Sequence, residues 1–143
     1  MALKLFRVVW FVSVVFAVAN LLYIYAGWPA DVTVQEQGDA VSREILFYGV
    51  LAGIVLINVL VYVFKRFYPQ GQDLRAWFHG LLITVNIFIV VSLWSLSVYN
   101  SLDRFDEGIV SGYLLGSVGL IVIWAAAWPL YLIWQKIFLK PTV

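Results

Sequence analysis

The sequence predicts an all-α integral membrane protein: a four-transmembrane-helix antiparallel bundle with both termini on the cytoplasmic side. Three observations carry this expectation. Of 143 residues, 64% are hydrophobic and 12% charged, where a soluble domain carries about 25% charge. The apolar residues fall in four blocks, each long enough to cross ~30 Å of hydrocarbon. The charges also segregate between the connections, as the positive-inside rule requires.

The first block runs from residue 5 to 27 with Lys4 and Arg7 at its start, and no Asp, Glu, Lys or Arg falls between Val8 and Gly27. Ala17-Val18-Ala19 has the small-x-small form of a signal cleavage site. The apolar run continues past it through Leu21, Leu22, Tyr23 and Ile24, so we expect an uncleaved helix. Trp28-Pro29 ends it, because a residue before proline is pushed out of the helical region, and an interfacial place suits the Trp28 ring.

The polar stretch 28–44 holds Asp31, Glu36, Asp39 and Glu44, four of the eight acids, and one base, Arg43. Alternation over Asp31–Gln35 predicts a short extended segment, and Gly38-Asp39 a turn. Ser42 is the expected N-cap of the second helix, with Glu44 in its first turn. That helix covers 45–64 and stops at Lys65-Arg66. The connection 65–75 is basic and broken by Pro69 and Gly71. The third helix covers 76–99 and the acidic loop 100–107 follows. The fourth covers 108–135, longer than the hydrocarbon, with Pro129 an expected kink.

With the N-terminus cytoplasmic, Lys4, Arg7, Lys65, Arg66, Arg75, Lys136 and Lys140 lie inside, and only Arg43 and Arg104 outside. Asp73 is then the sole acid inside. This split sets the orientation and places the 28–44 stretch on the outer side of a single membrane domain, in what we read as a bacterial cytoplasmic membrane.

Composition also excludes chemistry. The chain has no Cys, one His and one Met, which removes disulfides, thiolate sites and a bis-His or His/Met haem within the chain. No carboxylate or lysine lies inside a predicted span, which argues against a proton pump or voltage sensor. A net charge of +1 gives no signal for nucleic acid. We therefore expect no cofactor, no metal and no nucleic-acid partner. The expected partners are the lipid bilayer and other membrane subunits or further copies of the chain.

The intramembrane polar groups are amides and hydroxyls. Asn58 and Asn86 each lie 13 residues from the outer end of their helix, taking Ile45 and Tyr99 as those ends. Adjacent antiparallel helices put them at one depth, and the favoured reading is an interhelical hydrogen bond; a polar site for an ion, quinone or headgroup is the alternative. Asn20 joins them as a candidate network or path residue. Gly49 and Gly53, and Gly112, Gly116 and Gly119, form small-residue ridges that allow close helix approach, either within the bundle or to another subunit. His79 is read as an interfacial histidine rather than a shared metal or haem ligand. The outer acids do not match an EF-hand spacing. Asp31, Glu36, Asp39, Arg43 and Glu44 are the candidate partner-facing residues.

Tyr25, Pro29, Val32, Val34, Gly38 and Ser42-Arg43 ahead of an apolar helix resemble a short signature. It belongs to a membrane domain of unknown function in immunity and signal-transduction proteins against the sporulation-delaying toxin. Gln35 stands where that pattern has histidine, Arg43 where it has lysine, and the interval before Gly38 is shorter. The match spans about 20 of 143 residues. The resemblance implies a small bacterial membrane protein with a structured outer loop. The functional expectation is a non-enzymatic accessory, stabilising or immunity-type subunit of a larger membrane assembly. An amide-lined homo-oligomeric channel is second, and a lipid- or quinone-associated redox subunit third.

Overall fold

A computed structural model describes residues 2–34, 40–69, 71–101 and 107–138. The order is α1 (Ala2–Gly27), β1 (Asp31–Val32), β2 (Val41–Ser42), α2 (Arg43–Phe67), α3 (Gln72–Tyr99) and α4 (Glu107–Phe138). All four helices are long and apolar enough to cross a membrane.

The helices extend beyond their apolar blocks because a charged side chain does not end a helix. At 1.5 Å per residue, the 25 residues of α2 make a rod of roughly 38 Å. Lys65 and Arg66 fall in its last turn, where cations complement the dipole. α4 continues through Pro129 to Phe138, so the proline does not end it.

Buried positions show which faces meet. In α1 they are Trp10, Ala17, Leu21 and Ile24, steps of seven, four and three that keep to one stripe. In α2 they are Ile54, Asn58 and Val61, again one stripe. α3 buries residues around more of its circumference, among them Ala76, His79, Gly80, Leu82, Asn86 and Leu93, because it contacts all three other helices. α4 lies against α3 and buries only Ser117 among its described side chains.

Two apolar clusters form the core. Ala17, Leu21, Ile24, Trp28, Val32, Ile54 and Leu93 make the larger. Trp10, Val61 and Leu82 make the smaller. Trp28, expected at the interface, is 3% exposed. It sits in the larger cluster with Val32, where the chain folds back over the end of α1.

That fold-back is a minimal antiparallel hairpin, with Asp31 opposite Ser42 and Val32 opposite Val41. The expected extended segment is thus two residues long on this side; Gln35, Glu36, Gly38 and Asp39 lie outside the described residues. Ser42 caps α2, its Oγ accepting from the Ile45 amide at 3.4 Å, in extended backbone (φ −61°, ψ 139°) as an N-cap requires.

Candidate functional site: a polar network inside the bundle

The polar centre lies between the two apolar clusters. Asn58 falls between Ile54 and Val61, Asn86 between Leu82 and Leu93, and Ser13 between Trp10 and Ala17. The two amides face each other across α2 and α3. Asn58 Nδ2 donates to Asn86 Oδ1 at 2.9 Å, and Asn86 Nδ2 donates back to Asn58 Oδ1 at 3.1 Å. α1 closes the ring. Trp10 Nε1 donates to Asn58 Oδ1 at 2.8 Å, and Asn86 Nδ2 donates to Ser13 Oγ at 2.9 Å. Ser13 in turn donates to the Trp10 carbonyl at 2.7 Å, and Asn58 Nδ2 to the Ile54 carbonyl at 2.9 Å.

Both hydrogens of each amide group are therefore used, and Asn58 Oδ1 accepts twice. In hydrocarbon an unmatched amide costs several kcal/mol, so this pairing is what lets two asparagines sit at 5% and 0% exposure. The arrangement fixes the axial register of three helices, since a slide of one residue, about 1.5 Å, breaks the bonds together. It has no ionisable member and offers no acid–base chemistry. No group of three or more His, Asp or Glu that could hold a metal occurs among the described residues.

Asn20 stands apart from this network. It lines a groove of about 310 Å³ with Val90, Val91 and Trp94 of α3 and Tyr113 of α4. Its Nδ2 is buried with no partner among the described residues. The three asparagines therefore do not line one path within the chain. A second groove of about 270 Å³ runs between α2 and α3 past Gly53 and Ser92, and the Ser92 hydroxyl is likewise buried without a partner.

The glycine ridges do not join helices of this chain. A Cβ at Gly49, Gly53, Gly112, Gly116 or Gly119 would meet nothing within 4 Å. Close packing falls instead on Gly80, which no small-residue motif marked. A Cβ there would overlap the indole of Trp124. At this contact the tryptophans exchange bonds: Trp77 Nε1 donates to the Trp124 carbonyl and Trp124 Nε1 to the Trp77 carbonyl, both at 2.9 Å. Phe6 of α1 adds a tilted ring contact to Trp124 at 5.6 Å between centroids.

His79, near the start of α3, turns its ring into the protein. It is 4% exposed, its ring edge-on to Trp10 at 5.6 Å. Its Nδ1 lies 2.6 Å from the Arg75 carbonyl, which assigns the Nδ1 hydrogen to that bond.

At the opposite end of the helices the hairpin is tied down twice. Asn100, read from sequence only as loop, accepts from the Thr33 amide at 2.8 Å and donates to the Thr33 carbonyl at 3.0 Å. Its side chain thus pairs with Thr33 as a neighbouring strand would. Arg43 donates to the Trp28 carbonyl at 3.3 Å and lies over the Tyr25 ring at 5.4 Å. Its Nε also contacts Glu44 at 3.4 Å. Arg43 is thereby a clamp of the loop, while Asp31 and Glu44 are exposed; Glu36 and Asp39 lie outside the described residues. No protein-family model, curated protein or solved structure matches the chain.

Proposed function

We propose that the chain is a non-enzymatic integral membrane subunit that docks to another membrane protein through its lipid-side grooves. The observation that carries this reading is that two of the four buried polar atoms without a partner among the described residues, Asn20 Nδ2 and Ser92 Oγ, belong to residues that line these grooves. Acyl chains cannot accept a hydrogen bond, so both groups call for an acceptor from another polypeptide, such as a helix carbonyl or hydroxyl. Gly53 lies in the Ser92 groove, where a missing side chain leaves room for a close approach. The fully used Asn58–Asn86 pair, by contrast, has no donor left for a passing solute.

In this reading the protein is an antiparallel bundle in the bacterial cytoplasmic membrane with both termini inside, supported by the distribution of its bases. The anchored hairpin then presents Asp31 and Glu44 to the outer side, in keeping with the immunity-type role that the loop resemblance implies. The chain has no native Cys, so a Gln37→Cys variant can be labelled at one place. It should react with an impermeant maleimide added to intact cells; reaction only after the inner face is opened would reverse the orientation.

The partner test is affinity purification of the full chain from native membranes in mild detergent. We expect a different membrane protein to copurify in fixed stoichiometry, with recovery falling at least severalfold for Asn20→Leu/Ser92→Ala. Unchanged recovery with that variant, or a homo-oligomer that conducts ions in liposomes, would overturn the proposal.

A further inference from the structure

Three bases from three helices meet where α2 ends and α3 begins. Arg7, Lys65 and Arg75 line one pocket of about 160 Å³ with His79, Trp10 and Tyr62. No carboxylate lines it. Asp73, two residues before Arg75, lines instead a separate cavity beside Trp77 and Trp128. The one ion pair among the described residues, Arg43–Glu44, belongs to the hairpin end.

A preference of bases for one side of the membrane accounts for their presence at this end. It does not account for their convergence on one partly enclosed space, where like charges repel. Nor does it account for Arg75. Its Nη1 donates to the Pro69 carbonyl at 2.9 Å, but its Nε is buried with no partner among the described residues. A guanidinium N–H withdrawn from water and left unmatched is costly. An anion in the pocket relieves the repulsion and gives the Arg75 guanidinium, which lines it, a counter-charge.

The other walls suit such a ligand. The His79 Nδ1 hydrogen is committed to the Arg75 carbonyl, which leaves Nε2 as the ring nitrogen free to interact. Trp10 is held by its bond to Asn58 and packs edge-on to both His79 and Tyr62, so this side of the pocket is braced by the polar network. The volume is below the roughly 300–1,000 Å³ of sites for drug-sized ligands; it suits one tetrahedral group rather than a nucleotide. Basic pockets between transmembrane helices at this level are suited to phospholipid headgroups, and guanidinium forks match phosphate oxygens.

We propose that this pocket binds a phosphate group, supplied by the headgroup of an anionic phospholipid. Arg75 and Arg7 bind the phosphate oxygens, with Lys65 at the mouth. The inference is independent of the partner-docking reading, since none of these residues lines either groove.

The test measures lipid retention by native mass spectrometry, and thermal stability, of the full chain in detergent. Phosphatidylglycerol, phosphatidylcholine and inorganic phosphate are added separately. We expect phosphatidylglycerol to bind and stabilise more strongly than phosphatidylcholine. Its affinity should fall about tenfold in Arg75→Gln, as for loss of a charge-assisted bond. Arg7→Gln guards against misfolding as the cause, because Arg7 is exposed, and it should weaken binding in the same direction. Lys136→Gln removes a base outside the pocket and should leave binding unchanged. If inorganic phosphate stabilises the protein in an Arg75- and Arg7-dependent way and the lipid does not, the pocket is a phosphate site with a soluble source. Equal losses in Lys136→Gln, or no loss in Arg75→Gln and Arg7→Gln, would overturn the proposal.

Discussion

Asn58→Leu should destabilise the protein by about 2–3 kcal/mol, more than Asn86→Leu at about 1–2 kcal/mol. The order follows from who is left behind. Without Asn58, the Trp10 indole N–H loses its acceptor and Asn86 loses both its bonds to α2. Without Asn86, Asn58 still binds Trp10 and the Ile54 carbonyl, and Ser13 keeps its bond to the Trp10 carbonyl. The double variant orphans little beyond the Trp10 N–H, so it should cost less than the sum of the singles, with a coupling of about 1 kcal/mol. Reversible unfolding in mixed micelles or bicelles measures all four corners of the cycle. Additivity within about 0.5 kcal/mol would mean that the amides do not act as partners.

Gly80→Ala should be the most harmful single methyl that can be added to the chain. The new Cβ would fall inside the contact with Trp124. Overpacking of this kind costs about 1–3 kcal/mol. Here the strain falls on the helix that the Trp77–Trp124 exchange ties to α3, so α4 should undock before the other three helices separate. Faster proteolysis or hydrogen exchange in α4, with the α1–α3 amides still protected, would show it. Trp124→Ala in the same chain removes the obstacle and should make the alanine at position 80 nearly neutral. Gly112→Ala and Gly49→Ala meet open space and should change the stability of the isolated chain by no more than about 0.5 kcal/mol.

These two sites mark where sequence reading reached and where it stopped. The Asn58–Asn86 pairing was legible because helix rise converts residue counts into depth, and an amide in hydrocarbon demands a partner. The four long apolar helices were legible from hydropathy for a similar reason, since crossing a bilayer sets a minimum apolar length for each.

Gly80 was not legible. Its counterpart is a tryptophan on another helix, so neither sequence neighbourhood contains a small-residue repeat. The ridges that do contain one face open space within this chain. The interfacial preference of tryptophan was equally blind to Trp28, and would be to Trp10. A tryptophan near a helix end has the same sequence signature whether its ring meets headgroups or folds inward, and only the neighbours Val32, His79 and Asn58 decide. Asn100 was missed because a side chain that imitates a strand edge leaves no local pattern.

The shared network has a consequence for assembly in time. Trp10, Ser13, Asn58 and Asn86 all precede α4 in the chain, and every bond among them joins helices already synthesised when Asn100 emerges. The amides of α2 and α3 can thus pair with each other and with α1 before the last helix is made. α4 arrives afterwards onto a finished surface, where Gly80 is the vacant socket for its tryptophan. The order of synthesis and the order of closure coincide.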